Sequence, residues 1–336
     1  MNFLWEYGLF LAKTLTIIIS ILLTLVGILI LVRREPSDEA SLVIFSLNEK
    51  MRDIKEVLQS ETLTKVAYKK WLKKDETKAK KKAKNEGDGS GRLFVLRFEG
   101  DMKASEVEGL RETISALLTI AQPKDEVLIV LESAGGYVHS YGLAAAQIQR
   151  IKDNDLYLTI AVDRFAASGG YMMACVANQI IAAPFALVGS IGVLAQVPNF
   201  HRLLEKHSID FEQHTAGAYK RTLTMFGKNT PAARQKFQLE IETTHSLFKE
   251  FITQHRPNVD IERAATGEHW HATHALAFGL VDVLMTSDEF ILNKINEREV
   301  YEIGYEEKLG FTDKLSQKFF GVMEGFAAQL RKLSLP

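Results

Sequence analysis

Ser168 stands in Ala167-Ser168-Gly169-Gly170-Tyr171, and Lys220 follows 52 positions later (220 − 168) in Tyr219-Lys220-Arg221. A serine hydroxyl becomes a nucleophile only when a base takes its proton, and a neutral lysine amine is one such base. The run YLTIAV (157–162) before Ser168 reads as a buried strand, and YMMACVA (171–177) after it reads as a helix. Ser168 is therefore expected at a strand-to-helix turn, where the first helical N–H groups are free and the helix dipole favours developing negative charge. The plainer alternative is a helix N-cap serine followed by glycines that permit close packing.

A second glycine pair lies in Glu132-Ser133-Ala134-Gly135-Gly136-Tyr137, at the expected end of another strand. Paired glycines leave backbone N–H groups unshielded, as an oxyanion hole requires, although a tight helix entry uses them as well. Nine histidines (His139, His201, His207, His214, His245, His255, His269, His271 and His274) keep a Ser-His-Asp triad open, because triads are defined by geometry and not by chain order. Ala-Ala-Ser-Gly-Gly is not the Gly-x-Ser-x-Gly elbow of α/β-hydrolases. His269, His271 and His274 lack a carboxylate or cysteine that completes a recognised ligand pattern, so no metal site is expected. The single cysteine, Cys175, excludes an internal disulfide and reads as a packed small side chain.

The elements that must hold these residues alternate between strand and helix. Residues 93–98, 127–131, 157–162 and 180–183 read as strands. Residues 105–120, with Val107, Leu110, Ile114, Leu117 and Leu118 on one face, and residues 141–151 read as helices. Single helices between strands imply βαβ crossovers, a largely parallel sheet and an α/β fold class. Ligands on such sheets bind beyond the carboxyl ends of the strands, where both glycine pairs fall.

The chain has 336 residues, enough for about two domains, and its net charge of −1 gives no general attraction to nucleic acid. Residues 9–32 are apolar apart from Lys13 and a few Ser and Thr, with Trp5 and Tyr7 before them and Arg33-Arg34 after, and they predict a transmembrane helix within an anchor spanning 1–35. A cleaved signal peptide fits less well, since the apolar run ends in Arg-Arg-Glu-Pro. Residues 36–91 predict a helical arm closed by the Gly87-Asp-Gly-Ser-Gly91 linker, with ten lysines between Lys65 and Lys84. The arm is either a solvated charged helix or a contact for anionic lipid headgroups. The second apolar stretch, 171–197, is broken by Asn178, Gln179, Pro184 and Gly189-Ser190-x-Gly192 and is expected as core. Residues 92–300 form the expected catalytic domain, with Trp270 in its core and Gly279 as a helix C-cap. Residues 301–336 carry Phe311, Leu315, Phe319, Phe320, Met323 and Phe326 on an expected amphipathic tail helix that would dock on a neighbouring subunit or on lipid.

Ser133-Ala-Gly-Gly, Ala166-Ala-Ser-Gly-Gly-Tyr171, Gly189-Ser-Ile-Gly192 and Gly217-Ala-Tyr-Lys220, in that order, resemble the motifs of the signal peptide peptidase A family of Ser-Lys serine peptidases. The anchor and lysine-rich arm ahead of one catalytic unit resemble its SohB branch. The resemblance implies a ClpP/crotonase-like fold of repeated ββα/βαβ units assembled into homo-oligomeric rings, in which one site can draw its serine and lysine from neighbouring chains. It further implies that Ser168 is the nucleophile, Lys220 the general base and Ser190 the hydroxyl that orients the lysine. The backbone N–H groups of Gly135, Gly136, Ser168 and Gly169 are the expected oxyanion-hole donors. Glu132-Ser-Ala stands where many relatives have Asn-Ser-Pro, which bears on the strand-end geometry.

The expected function is thus a serine endopeptidase, held single-pass in a bacterial inner membrane, that cleaves peptides or membrane-protein segments with no metal or organic cofactor. Counting Arg33, Arg34, Lys50 and Arg52 against Lys13 places its domain on the cytoplasmic side, whereas a role like that of signal peptide peptidase A suits the outer face. Two alternatives remain at this stage. One is a crotonase-fold enzyme acting on acyl-CoA thioesters, and the other is a membrane scaffold without catalysis.

Overall fold

The computed structural model describes residues 2–32, 40–85, 91–217 and 219–307. They divide between two units, residues 1–41 with 306–336 and residues 42–305. In the first unit, α1 (Asn2–Val32) contains the stretch Trp5–Gly27 with a mean hydropathy of 2.4. Among the described residues it is the one helix long and apolar enough to cross a bilayer. Thr14, Thr16 and Thr24 turn their hydroxyls onto the carbonyls four residues back, at 2.8–2.9 Å, so these polar groups are satisfied within the helix. The expected amphipathic tail helix lies outside the described residues.

The second unit begins within β1 (Ala40–Ser46) and continues through α2 (Leu47–Thr62) and α3 (Lys65–Asn85). Strands and helices then alternate through β2 (Leu93–Gly100), α4 (Val107–Ile120), β3 (Glu126–Ser133), α5 (Val138–Asp153) and β4 (Tyr157–Val162). Next come β5 (Phe165–Ala167), α6 (Gly169–Ala174), β6 (Gln179–Ala182) and β7 (Leu187–Gly189). A long excursion carries α7 (His201–Lys206) and α8 (Pro231–His255). The chain returns through α9 (Ile261–Ala264), β8 (His269–His271), α10 (Ala272–Ala275), β9 (Val283–Leu284), α11 (Ser287–Glu297) and β10 (Val300–Glu307).

The main sheet runs β1-β10-β2-β3-β4-β6-β9, and its pairs from β10 to β9 are parallel. A branch leaves it where Ser133 of β3 pairs with Ala166 of β5, continues to β7 in parallel and ends on β8 in antiparallel. This is the largely parallel α/β sheet that the alternation of strands and helices implies. Both faces of the sheet are covered, so its strands read as continuous apolar runs. Phe94, Leu96 and Phe98 face one core with α4, α5 and α6. Leu93 and Val95 face another with Leu47 of α2 and Phe290 and Ile291 of α11. Residues 171–197 are partly this core, as expected: all of α6 and most of β6 are buried.

Two strands fall within the spans read as arm and tail. The arm placed at 36–91 contributes β1 to the sheet edge, and its Asn48 receives the Val300 N–H at 2.7 Å while donating to the carbonyls of Ile295 and Arg298. The tail placed at 301–336 begins as strand β10, paired with β2. Neither strand was visible locally, because strand membership here depends on partners about 200 residues or more away in sequence.

Candidate active site

Ser168 follows β5 directly and occupies the N-cap position of α6, with φ 52° and ψ −118°. A positive φ is uncommon for a residue with a side chain and costs about 1–3 kcal/mol, so surrounding structure must hold it. Its N–H donates to the Gly189 carbonyl at 2.7 Å, and its own carbonyl accepts from Met172 N at 3.0 Å. The side chain does not cap the helix. Ser46, Thr230, Asp260 and Thr286 each accept a helical N–H in that position, so the half-buried Ser168 hydroxyl is distinct in being left free.

Ala167 pairs with Gly189 across parallel strands, which brings Ser168 and Ser190 out of the branch side by side. Ser190 also has a positive φ, 50°, and its N–H donates to the Glu268 carbonyl at 2.7 Å. The Trp270 ring flanks Gly189, where an added Cβ would lie 3.1 Å from Trp270 Cδ1. Residues 266–270 therefore hold the Ser190 turn, a role their sequence did not suggest.

The glycine pair meets the same point from β3. Gly135 has φ 85°, and a Cβ there would lie 2.6 Å from Gly169 N and 2.8 Å from Ser168 Cβ. Only glycine permits that approach. At Gly136 a Cβ would strike the Met102 carbonyl, which accepts the Tyr137 N–H at 2.9 Å.

Two of the four expected donors have partners here. Gly135 N–H donates to Ser133 Oγ at 3.0 Å, and Ser168 N–H is taken by Gly189 O. Among the described residues, the N–H groups of Gly136 and Gly169 have no such partner. The reason is local: Ser133, two residues before Gly135, folds its hydroxyl back to the turn, and β5 remains paired to β7 through Ser168.

Lys220 is exposed, on the excursion between α7 and α8. The surface cavity it lines is formed by residues such as Gln196, Pro198, Phe211, Tyr219 and Phe237, and includes none of Ser168, Ser190, Gly135 or Gly136. Within one chain, then, Ser168, Ser190 and the glycine pair come together, and among the described residues no hydrogen bond joins Lys220 to them. His139 is exposed and stacks on Tyr137 at 5.7 Å, and His245 reaches the Ile191 carbonyl at 3.2 Å. His269, His271 and His274 are exposed on β8 and α10. Cys175 is wholly buried, and burial pushes its thiol well above the ordinary range, which suits a packing role.

The strained Ser168 turn stands at the carboxyl end of a parallel strand of an α/β protein, the place where such sheets bind ligands. Residues 2–148 match peptidase family S49 N-terminal, and residues 150–300 match peptidase family S49. Probable protease SohB of Haemophilus influenzae is 45% identical over 329 residues, covering 94% of this chain and 93% of that protein. Probable protease SohB of Buchnera aphidicola subsp. Schizaphis graminum is 48% identical over 303 residues, covering 89% and 88%. A putative protease of Methanocaldococcus jannaschii is 27% identical and covers 61% of this chain and 68% of its own. The chain belongs to peptidase family S49 and is a SohB-type peptidase.

Proposed function

We propose that the protein is a membrane-anchored serine endopeptidase that uses Ser168 and Lys220 through an acyl-enzyme. The observation that carries the reading is the Ser168 hydroxyl, left uncapped on a strained turn against the glycine pair. Ser168 Oγ attacks the scissile carbonyl carbon, and its proton passes to the neutral amine of Lys220. The carbonyl electron pair moves to oxygen, which receives the N–H groups of Gly136 and Gly169. The C–N bond then breaks, and the leaving amine takes the proton from Lys220. Water hydrolyses the ester by the reverse path and restores Ser168. Ser190, beside Ser168, orients the lysine.

Lys220 is supplied by a neighbouring copy in a homo-oligomeric ring. Its exposed position on the excursion, without a hydrogen bond to Ser168 among the described residues, supports this, as do exposed Leu194, Phe200, Leu203, Phe211 and Tyr219 along the same excursion. The α1 helix holds the protein in the inner membrane, and the substrates are peptides or membrane-protein segments. Ser168→Ala tests the reading. Peptide hydrolysis should fall by about four orders of magnitude or more with folding retained, whereas retention of more than about a tenth of the activity would refute it.

A further inference from the structure

Beneath the glycine pair lies a hydroxyl relay that the reaction does not consume. The Tyr141 hydroxyl is 2.5 Å from Ser133 Oγ and donates to the Asp101 carbonyl at 2.7 Å. Ser133 Oγ accepts the Gly135 N–H at 3.0 Å and also lies 3.3 Å from the Gly100 carbonyl. Tyr141 and Ser133 are both wholly buried. Each hydroxyl has one proton to give, so a single direction satisfies the short bonds: Gly135 N–H to Ser133, Ser133 O–H to Tyr141, Tyr141 O–H to Asp101. Burial pushes the Tyr141 phenol up, so it stays a donor through neutral pH. Asp101 is itself held, because its carboxylate accepts from Lys103 N, Ser105 N and the Ser105 hydroxyl at 2.8–3.0 Å. The Tyr141 side chain also lies under the other half of the site, in the space that a Gly169 Cβ would need.

Resting on the Ser168 reading above, we infer that Tyr141 and Ser133 are positioning residues for the oxyanion hole, setting the distance between the Gly136 and Gly169 donors. The relay turns the Gly135 N–H inward and leaves the next one, on Gly136, for substrate. The Tyr141 ring fixes how closely Gly169 approaches. Catalysis depends steeply on such spacing: a displacement of about 1 Å is enough to cost about 100-fold.

The test uses detergent-solubilised full-length chain carrying Tyr141→Phe, Ser133→Ala, or both. Each single variant should lower kcat about 10- to 100-fold with KM within about twofold, and weaken a peptide boronate, a mimic of the tetrahedral intermediate, by a similar factor. In a Ser168→Ala background, affinity for the uncleaved peptide should not change. The double variant should lose no more than the worse single one, because both break the same relay. Wild-type kcat and boronate affinity in Tyr141→Phe would overturn the inference, as would equal loss of boronate and peptide binding, or additive losses. Labelling of the wild type by a fluorophosphonate, absent in Ser168→Ala, separates these outcomes from failure of the nucleophile assignment itself.

Discussion

At the residue scale, function concentrates in a few backbone choices. Ser168 and Ser190 both adopt positive φ at the ends of paired strands, and Gly135 reaches Ser168 only because it has no Cβ. Replacing Gly135 with Ala should therefore abolish activity well before it abolishes folding, which paired assays of hydrolysis and thermal melting will register. Lys220→Arg should be nearly as inactive as Lys220→Ala, because a guanidinium stays charged and cannot take the Ser168 proton. An Arg variant with substantial activity in a steady-state peptide assay would return the base to one of the histidines. Cys175 plays no chemical part. Its thiol is buried and held neutral, so iodoacetamide should leave both Cys175 and activity untouched in the folded chain and label it after denaturation.

At the element scale, the starts of β2 and β3 are held by one buried carboxylate. Asp125 accepts from the Arg92 backbone and guanidinium at 2.7 Å and from Gln122 N at 2.8 Å. Burial alone would raise this carboxyl, but these bonds outweigh it and hold it below its usual 3.8. A depressed carboxylate stabilises the fold above the unfolded value, and that stability is lost as pH falls through the folded one. Asp125→Asn should cost about 2–4 kcal/mol at neutral pH, and the gap from wild type should close below about pH 4 in denaturant titrations. A gap that persists at low pH would deny the carboxylate this role. Strands β2, β3, β4 and β6, the buried α6 and the Ser168 turn were legible from sequence because apolar runs and glycine pairs are local signals, whereas the three-residue β5 was too short to show. By contrast, β1, β10 and the Glu268 contact to Ser190 were not, since long-range pairing defines them. The Tyr141–Ser133 relay was hidden differently: a tyrosine on an amphipathic helix looks the same whether its hydroxyl meets water or a buried serine.

At the scale of the whole molecule, the site is completed only by assembly, on the reading proposed here. Co-assembled Ser168→Ala and Lys220→Ala subunits, each inactive alone, should regain part of the peptide hydrolysis, because some junctions pair an intact serine with an intact lysine. No recovery in rings shown to be mixed would place the dyad within one chain. Positive charge after the apolar segment predicts a cytoplasmic catalytic unit, so protease added to intact spheroplasts should spare it, and digestion without lysis would reverse that orientation. The central claim is that Ser168 is the covalent nucleophile, and an alkyl fluorophosphonate tests it most directly. Peptide mapping of the reacted full-length chain should find a single adduct, on Ser168, which forms far more slowly in Lys220→Ala. An adduct on another residue, or equal labelling of Ser168→Ala, would contradict the account.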